Sequence, residues 1–242
     1  HSEEYFHAFL TTLAEAHNRF DLQILCYCLM SNHYHLLVKT PQANLGRVMR
    51  HINGIYTQRH NRLKKTDGPL FRGRYKAIVI EQDSYQLQVS RYIHLNPLEA
   101  DMVDNIEEYP WSSYRYFTSR RKQPEWLYPS EILSQLGRNH AKANYKSFVE
   151  LGIDEETEQF YDKGNMMPYL GSDDFRAWVY QQREAEEDKI SEQEKFQFKM
   201  DMDEIIAKVA ELFHVSIESI KQGNRGKKNI PRWVAMYLCQ EI

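Results

Sequence analysis

Residues 22–39, LQILCYCLMSNHYHLLVK, limit the fold more than any other part of the 242-residue chain. Two short apolar runs flank Ser31-Asn32, a turn signal, so they read as a buried strand, Leu22 to Met30, and a second strand, His33 to Lys39, joined in a hairpin. A hairpin is unstable in water unless helices or further strands cover it. The flanking sequence supplies those elements. Before the hairpin, residues 3–18 carry Phe6, Phe9, Leu10 and Leu13 at helical spacing and end near Asn18. After it, Leu45, Val48, Ile52 and Ile55 mark a helix whose apolar stripe faces a sheet and leaves Arg47, Arg50 and Arg62 outside.

A loop, KKTDGPLFRGR, follows with Asp-Gly-Pro punctuation, and YKAIVIE reads as a third strand. Asp83-Ser84 then caps a helix expected to run to about Leu95, with Pro97 as its stop. The order helix, strand, strand, helix, strand, helix needs one more strand in front to complete a split βαβ pattern. The expectation is therefore an α+β fold, a ferredoxin-like antiparallel sheet with helices, whose first strand would precede His1. From Asp104 to about Gln182 the chain reads as helical segments and loops, with the aromatics of YPWSSYRYF as packing residues. Residues 183–200 read as a charged linker or exposed helix. No internal repeat is visible.

The net charge of -3 conceals a segregated distribution. Between Pro41 and Ile78 the basic residues Arg47, Arg50, Arg59, Arg62, Lys64, Lys65, Arg72, Arg74 and Lys76 face one acid, Asp67, a pattern that attracts polyanions. An acid-rich stretch from Glu150 to Glu204 contains REAEEDKISEQEK, a solvated face or linker. Lys221, Arg225, Lys227, Lys228 and Arg232 make a second basic region. No apolar run approaches the roughly 20 residues that span a bilayer, and no signal-peptide pattern leads the fold, so a cytoplasmic protein without a membrane partner is expected. Cys26, Cys28 and Cys239 are too few for a disulfide framework. Cys26 and Cys28 share one strand face, where two small buried hydrophobes are the simpler reading and a metal role the alternative.

His33 and His35 also share a strand face, while Tyr34 and Leu36 point away. Two imidazoles on adjacent rungs can ligate one metal ion, although His-x-His spacing alone is weak grounds. In SRYIHLNPLEADMV, Tyr92 and Asn96 are helical neighbours four residues apart, so a phenol and an amide could approach the same ion. Asn96 precedes a proline, which biases it away from helical dihedrals. Spacing alone would not select Tyr92 from 16 tyrosines.

YCLMSNHYHLLVKTP, GPLFRGRYKAIVIE, RYIHLNPLEADMV and YPWSSYRYF, in that order, resemble the single-tyrosine HUH transposases, specifically the REP-associated tyrosine transposases. The resemblance covers about residues 1–120. It implies that His33 and His35 are the metal-binding pair, that Asn96 is a candidate third ligand, and that Tyr92 is the nucleophile. The implied cofactor is a divalent ion, Mg2+ or Mn2+. The implied reaction is cleavage of single-stranded DNA at hairpin-forming repeats through a 5′-phosphotyrosine, which conserves the bond for rejoining. Tyr34 stands where such proteins usually carry a bulky hydrophobe; its strand direction removes it as a nucleophile. His94 lies on a different helical face from Tyr92. The basic loop, with Lys64, Lys65, Arg72, Arg74 and the aromatic Tyr75, is the expected single-strand contact.

The segment DEIIAKVAELFHVSIESIKQGNRGKKNIPRWVAMYLCQEI begins with an amphipathic helix (Ile205, Ile206, Val209, Leu212, Phe213), turns at His214-Val215 and resumes as helix from Ser216. It resembles the helix-turn-helix domain that ends the bacterial replication initiator DnaA, chiefly in Val-Ala-Met-Tyr-Leu and Pro231-Arg232. The resemblance points to Arg225, Lys227, Lys228 and Arg232 as duplex DNA contacts. The domain expectation is thus a catalytic domain at 1–120, a helical extension and linker at 121–200, and an all-α helix-turn-helix domain at 201–242. Partners are single-stranded or hairpin DNA and duplex DNA, in a monomer or homodimer associated with the nucleoid. Two rival readings stay open: a domesticated, non-catalytic DNA-binding regulator, and a metal-dependent hydrolase that forms no protein adduct.

Overall fold

The computed structural model describes residues 3–82, 84–162, 167–182 and 202–221. The chain divides into two units, residues 1–173 and 174–242. Helix α1 (Glu3–Phe20) buries Phe9, Thr12, Leu13 and Ala16, one stripe at helical period, and places Glu3 and Glu4 in its first turn and His17 and Arg19 in its last, as the helix dipole favours. Strands β1 (Gln23–Leu29) and β2 (Tyr34–Lys39) pair antiparallel, with Tyr27 opposite Leu36, Cys28 opposite His35 and Leu29 opposite Tyr34.

A register irregularity between Ile24 and Cys26 inverts the alternation of β1. Leu22 and Ile24 before it, and Tyr27 and Leu29 after it, all pack with α1 and with Val48, Met49 and Ile52 of α2 (Leu45–Lys64). Leu25, Cys26, Cys28 and Met30 point the other way, into a second core with Val89, Ile93 and Leu95 of α3 (Ser84–Glu99). The strand is therefore covered on both faces. Burial raises the thiol pKa of Cys26 well above its ordinary value and that of Cys28 to about 12, so both are inert apolar side chains. Cys239 lies outside the described residues.

Two expectations about α3 and the third strand need correction. Pro97 does not stop α3, which runs to Glu99 with the proline inside it. A proline removes one backbone donor and crowds the turn before it; here the following turn closes through Ala100 N–H to Asn96 O (3.0 Å) and Met102 N–H to Pro97 O (2.9 Å), and Asn96 Nδ2 donates to Tyr92 O (2.8 Å). The third strand shrinks to β3 (Val79–Ile80), which pairs parallel with β4 (Tyr169–Leu170) and not with the hairpin. The preceding residues 72–77 are exposed, so they lack the apolar contacts that would draw them into a central sheet. Among the described residues the expected third strand thus does not join the hairpin, and no sheet has more than two strands. The fold is α+β, with a two-stranded antiparallel sheet and many helices. The free edge of β1 is capped instead by Trp111, Ser113, Trp126 and Tyr128, whose backbones bond to Leu29, Tyr27 and Ile24.

Between α3 and β4 run α4 (Tyr114–Thr118), α5 (Pro129–Leu133), α6 (Ala141–Glu150) and α7 (Glu155–Asp162). Residues 121–173 belong to the same compact unit as 1–120. Arg91, 4% exposed, ties α3 to the start of α7: its guanidinium donates to Asp154 Oδ2 at 2.7 Å and lies over the Phe148 ring at 4.2 Å. Asp154 also accepts from the Thr157 N–H at 3.0 Å, the N-cap bond of α7.

Helix α8 spans 173–182; in the second unit, α9 (Met202–Leu212) and α10 (Ile217–Lys221) meet through Val209, Ala210 and Ile220, with Ile206 and Val215 beside them. The turn sits where expected, with His214 at φ 52°. Leu212 and Phe213, expected on the apolar face, are exposed. Arg225, Lys227, Lys228 and Arg232, the final helix and the run 183–200 lie outside the described residues. No described helix is long and apolar enough to cross a membrane.

His94 is a packing residue. Its side chain is fully buried, with Nδ1 2.7 Å from Tyr145 Oη and Nε2 2.7 Å from Ser113 Oγ, and burial lowers its pKa from 6.5 to about 3. The unfolded chain takes up this proton below about pH 6.5, the folded chain not until about pH 3, so the contribution is complete above pH 6.5 and is lost as the pH falls toward 3. The expected slope from this group is at most about 1.4 kcal/mol per pH unit. Urea unfolding between about pH 7 and 5 should show it, and the slope should flatten in His94→Gln. Equal slopes in the two proteins would contradict the assignment.

Candidate active site

The pairing of Leu29 with Tyr34 and of Cys28 with His35 decides which way the hairpin tip presents its side chains. Tyr34 turns toward α1 and α2, where its hydroxyl donates to Asn53 Oδ1 at 2.7 Å. His35 turns the other way, toward α3, and His33, in the turn before β2, lies against His35. Their Nε2 atoms are 3.0 Å apart and their rings perpendicular. His33 Nδ1–H donates to Asn32 Oδ1 at 2.6 Å, which leaves the Nε2 lone pair aimed at His35. One proton or one cation between the two nitrogens satisfies both.

Burial favours the neutral form of each imidazole. His33 has a lowered pKa, and His35, more deeply set and beside His33, falls to about 4 despite a side-chain hydrogen bond with Asn96 that favours its charged form. Neutral imidazole is the state a metal requires. The spacing fits as well, since ligands at about 2.1 Å in adjacent octahedral positions lie about 3.0 Å apart. No cluster of three or more His, Cys, Asp or Glu suited to a metal occurs among the described residues. The groups that could hold an ion are therefore the two imidazoles, with the amide of Asn96 next to them.

Tyr92 lies on the same face of α3 as Asn96, and its ring meets the edge of His35 at 5.9 Å between centroids. The structure thus brings His33, His35, Asn96 and Tyr92 together. On its other side Tyr92 is stacked face to face on Tyr161 of α7, centroids 3.8 Å apart and planes 3° from parallel. The sequence reading missed Tyr161, which sits in an acid-rich stretch without a motif. It also missed Asn32, which the reading treated as a turn residue. The Asp154 cap that seats α7 was the one local signal available.

Lys64, the last residue of α2, and Lys65, Arg72, Arg74 and Tyr75 in the loop that follows are exposed. Among the described residues none of these four cations enters an ion pair. Arg59, by contrast, is committed to the fold through Glu15 at 2.5 Å. Tyr75 carries its hydroxyl back to the first turn of α2 at Gly46.

Residues 2–96 match the family described as "Transposase IS200 like". The matched stretch runs from α1 to Asn96 and contains both histidines and Tyr92, and it supports a transposase family for this part of the chain. No curated protein and no solved structure gives a significant match.

Manganese(II) titrated into the protein and followed by its free-ion EPR signal should bind, and His33→Ala or His35→Ala should weaken binding by more than about tenfold. Asn32→Ala, which releases the His33 tautomer, should cost about 10- to 100-fold, as outer-shell partners do. Unchanged binding in all three variants would show that the pair holds no ion.

Proposed function

We propose that this chain nicks and rejoins single-stranded DNA at hairpin-forming repeats, with Tyr92 as the nucleophile. The observation that carries the reading is the convergence of Tyr92 from α3 on His35 of β2 and on His33, which precedes that strand. A phenol beside a neutral imidazole pair, next to a loop of unpaired cations, suits attack on a phosphodiester. The transposase family matched by residues 2–96 supports the same class of substrate.

In this reading the loop cations draw the strand across the hairpin tip, and Arg72 and Arg74 hold phosphates on either side of the reacting one. His33 and His35, with Asn96 adjacent, would hold a divalent ion, Mn2+ or Mg2+, which when bound supplies Lewis-acid stabilisation to a nonbridging phosphate oxygen. Tyr92 Oη attacks phosphorus, the phenolic proton leaves to solvent, and the bond from phosphorus to the 3′ oxygen breaks. The products are a 5′-phosphotyrosine and a free 3′-hydroxyl that takes up a proton. Attack of a second 3′-hydroxyl on the same phosphorus reverses these steps and releases Tyr92 without a nucleotide cofactor. Tyr161, stacked on the Tyr92 ring, fixes its plane and restricts its approach to the strand. The C-terminal segment would hold duplex DNA as a helix-turn-helix, through Arg225, Lys227, Lys228 and Arg232, and the protein would act in the cytoplasm at the nucleoid.

The test is a labelled single-stranded oligonucleotide with a repeat hairpin, incubated with manganese or magnesium and resolved on a denaturing protein gel. The wild type should carry the label covalently, and Tyr92→Phe should carry none. Cut strands without an adduct would mean a hydrolase. Tight hairpin binding without cleavage, unaffected by His33→Ala, would mean a regulator.

A further inference from the structure

Where Tyr34 turns away from the histidine pair, the hairpin tip, α1, α2 and the loop after α2 enclose a cavity of about 120 Å3. Its walls are mostly aromatic. Phe9 of α1 meets Tyr34 at 4.7 Å and Tyr56 of α2 at 4.8 Å, and Phe71 of the loop closes the far side, 5.9 Å from Tyr34 and 6.2 Å from Tyr56. His33 stands at the rim, with Ser31 and Asn32 beside it. The cavity therefore opens next to the pair that the proposed reaction uses.

We propose that this cavity takes one unstacked nucleobase of the single strand, next to the phosphate presented to His33 and His35. The inference deepens the single-stranded DNA reading above and rests on it. Three features select a base over other occupants. The tilted and edge-on rings leave π faces for a planar partner, which aromatic walls hold by offset stacking. The volume suits one ring system and not a stack. Phe71 is followed at once by Arg72 and, two residues on, by Arg74, both exposed, so the wall that would cover a base continues into cations that fit its phosphates. An aliphatic ligand would use neither the cations nor the rings. The polar rim of Ser31 and Asn32 supplies the hydrogen-bonding edge by which one base can be preferred to another.

The experiment uses the full chain carrying Tyr92→Phe, so that binding is read without cleavage. Fluorescence anisotropy is measured with a random-sequence single-stranded pool of about 20 nucleotides, long enough for one site, and with duplex of the same length. Phe71→Ala should weaken single-strand binding by about 5- to 150-fold, the stacking contribution of one base, and leave duplex binding unchanged. Phe71→Trp, which restores a stacking face, should bind as Phe71 does. A single-stranded pool containing 5-iodouracil should crosslink on irradiation to peptides that carry Tyr34, Tyr56 or Phe71. Wild-type affinity in Phe71→Ala, crosslinks confined to other peptides, or no single-strand binding at all would overturn the inference. Absence of a covalent adduct with the unmutated protein would instead remove Tyr92 as nucleophile and leave the pocket result standing.

Discussion

The site depends on β1 being covered on both faces. An apolar strand with helices on each side has no solvent face, so its hairpin partner must divide its side chains between two cores. The irregularity between Ile24 and Cys26 sets the phase of that division. Ahead of it, even-numbered residues face α1 and α2; beyond it, odd-numbered ones do. Were the same residues to alternate regularly from Ile24, without this irregularity, Tyr27 and Cys28 would exchange faces, and the phenol of Tyr27 would be driven into the core that now holds Cys28.

The second requirement is that α3 present Tyr92 and Asn96 to the hairpin. Polar anchors on its other faces fix that rotation. Ser90 and His94 meet Tyr145 and Ser113 in the core, and Arg91 reaches Asp154 and Phe148. Arg91 is buried but Asp154 is about one-third exposed, so solvent screens the pair, and losing one partner costs less than it would in a fully buried ion pair. A mutation in Arg91 or Asp154 would still disturb two groups at once: α3, which carries Tyr92, and α7, which carries Tyr161. Because α3 continues past Asn96 to Glu99, its last turn keeps that amide next to His35.

Much of this was legible in the sequence where periodicity and local turn chemistry act alone. Helices α1 and α2, the hairpin and the shared face of His33 and His35 follow from spacing within short windows. Tyr92 and Asn96 as one helical face follow in the same way. Three things did not follow. Pro97 was read as a stop because propensity takes no account of the packing of Leu95 and Leu98 that holds the last turn. The third strand was read at full length because YKAIVIE has a strand's composition, yet its partner, Tyr169–Leu170, comes from the far end of the unit. Tyr161 was invisible because its role arises from a stack between α3 and α7, which no local pattern encodes.

The central claim is that the two imidazoles and Tyr92 form one metal-dependent site. Anomalous diffraction from crystals soaked in manganese tests it most directly. The account predicts a single strong peak within about 2.0–2.3 Å of Nε2 of both His33 and His35, on the side that Tyr92 and Asn96 face. A peak bound to one imidazole alone, or manganese found only elsewhere on the protein, would contradict it.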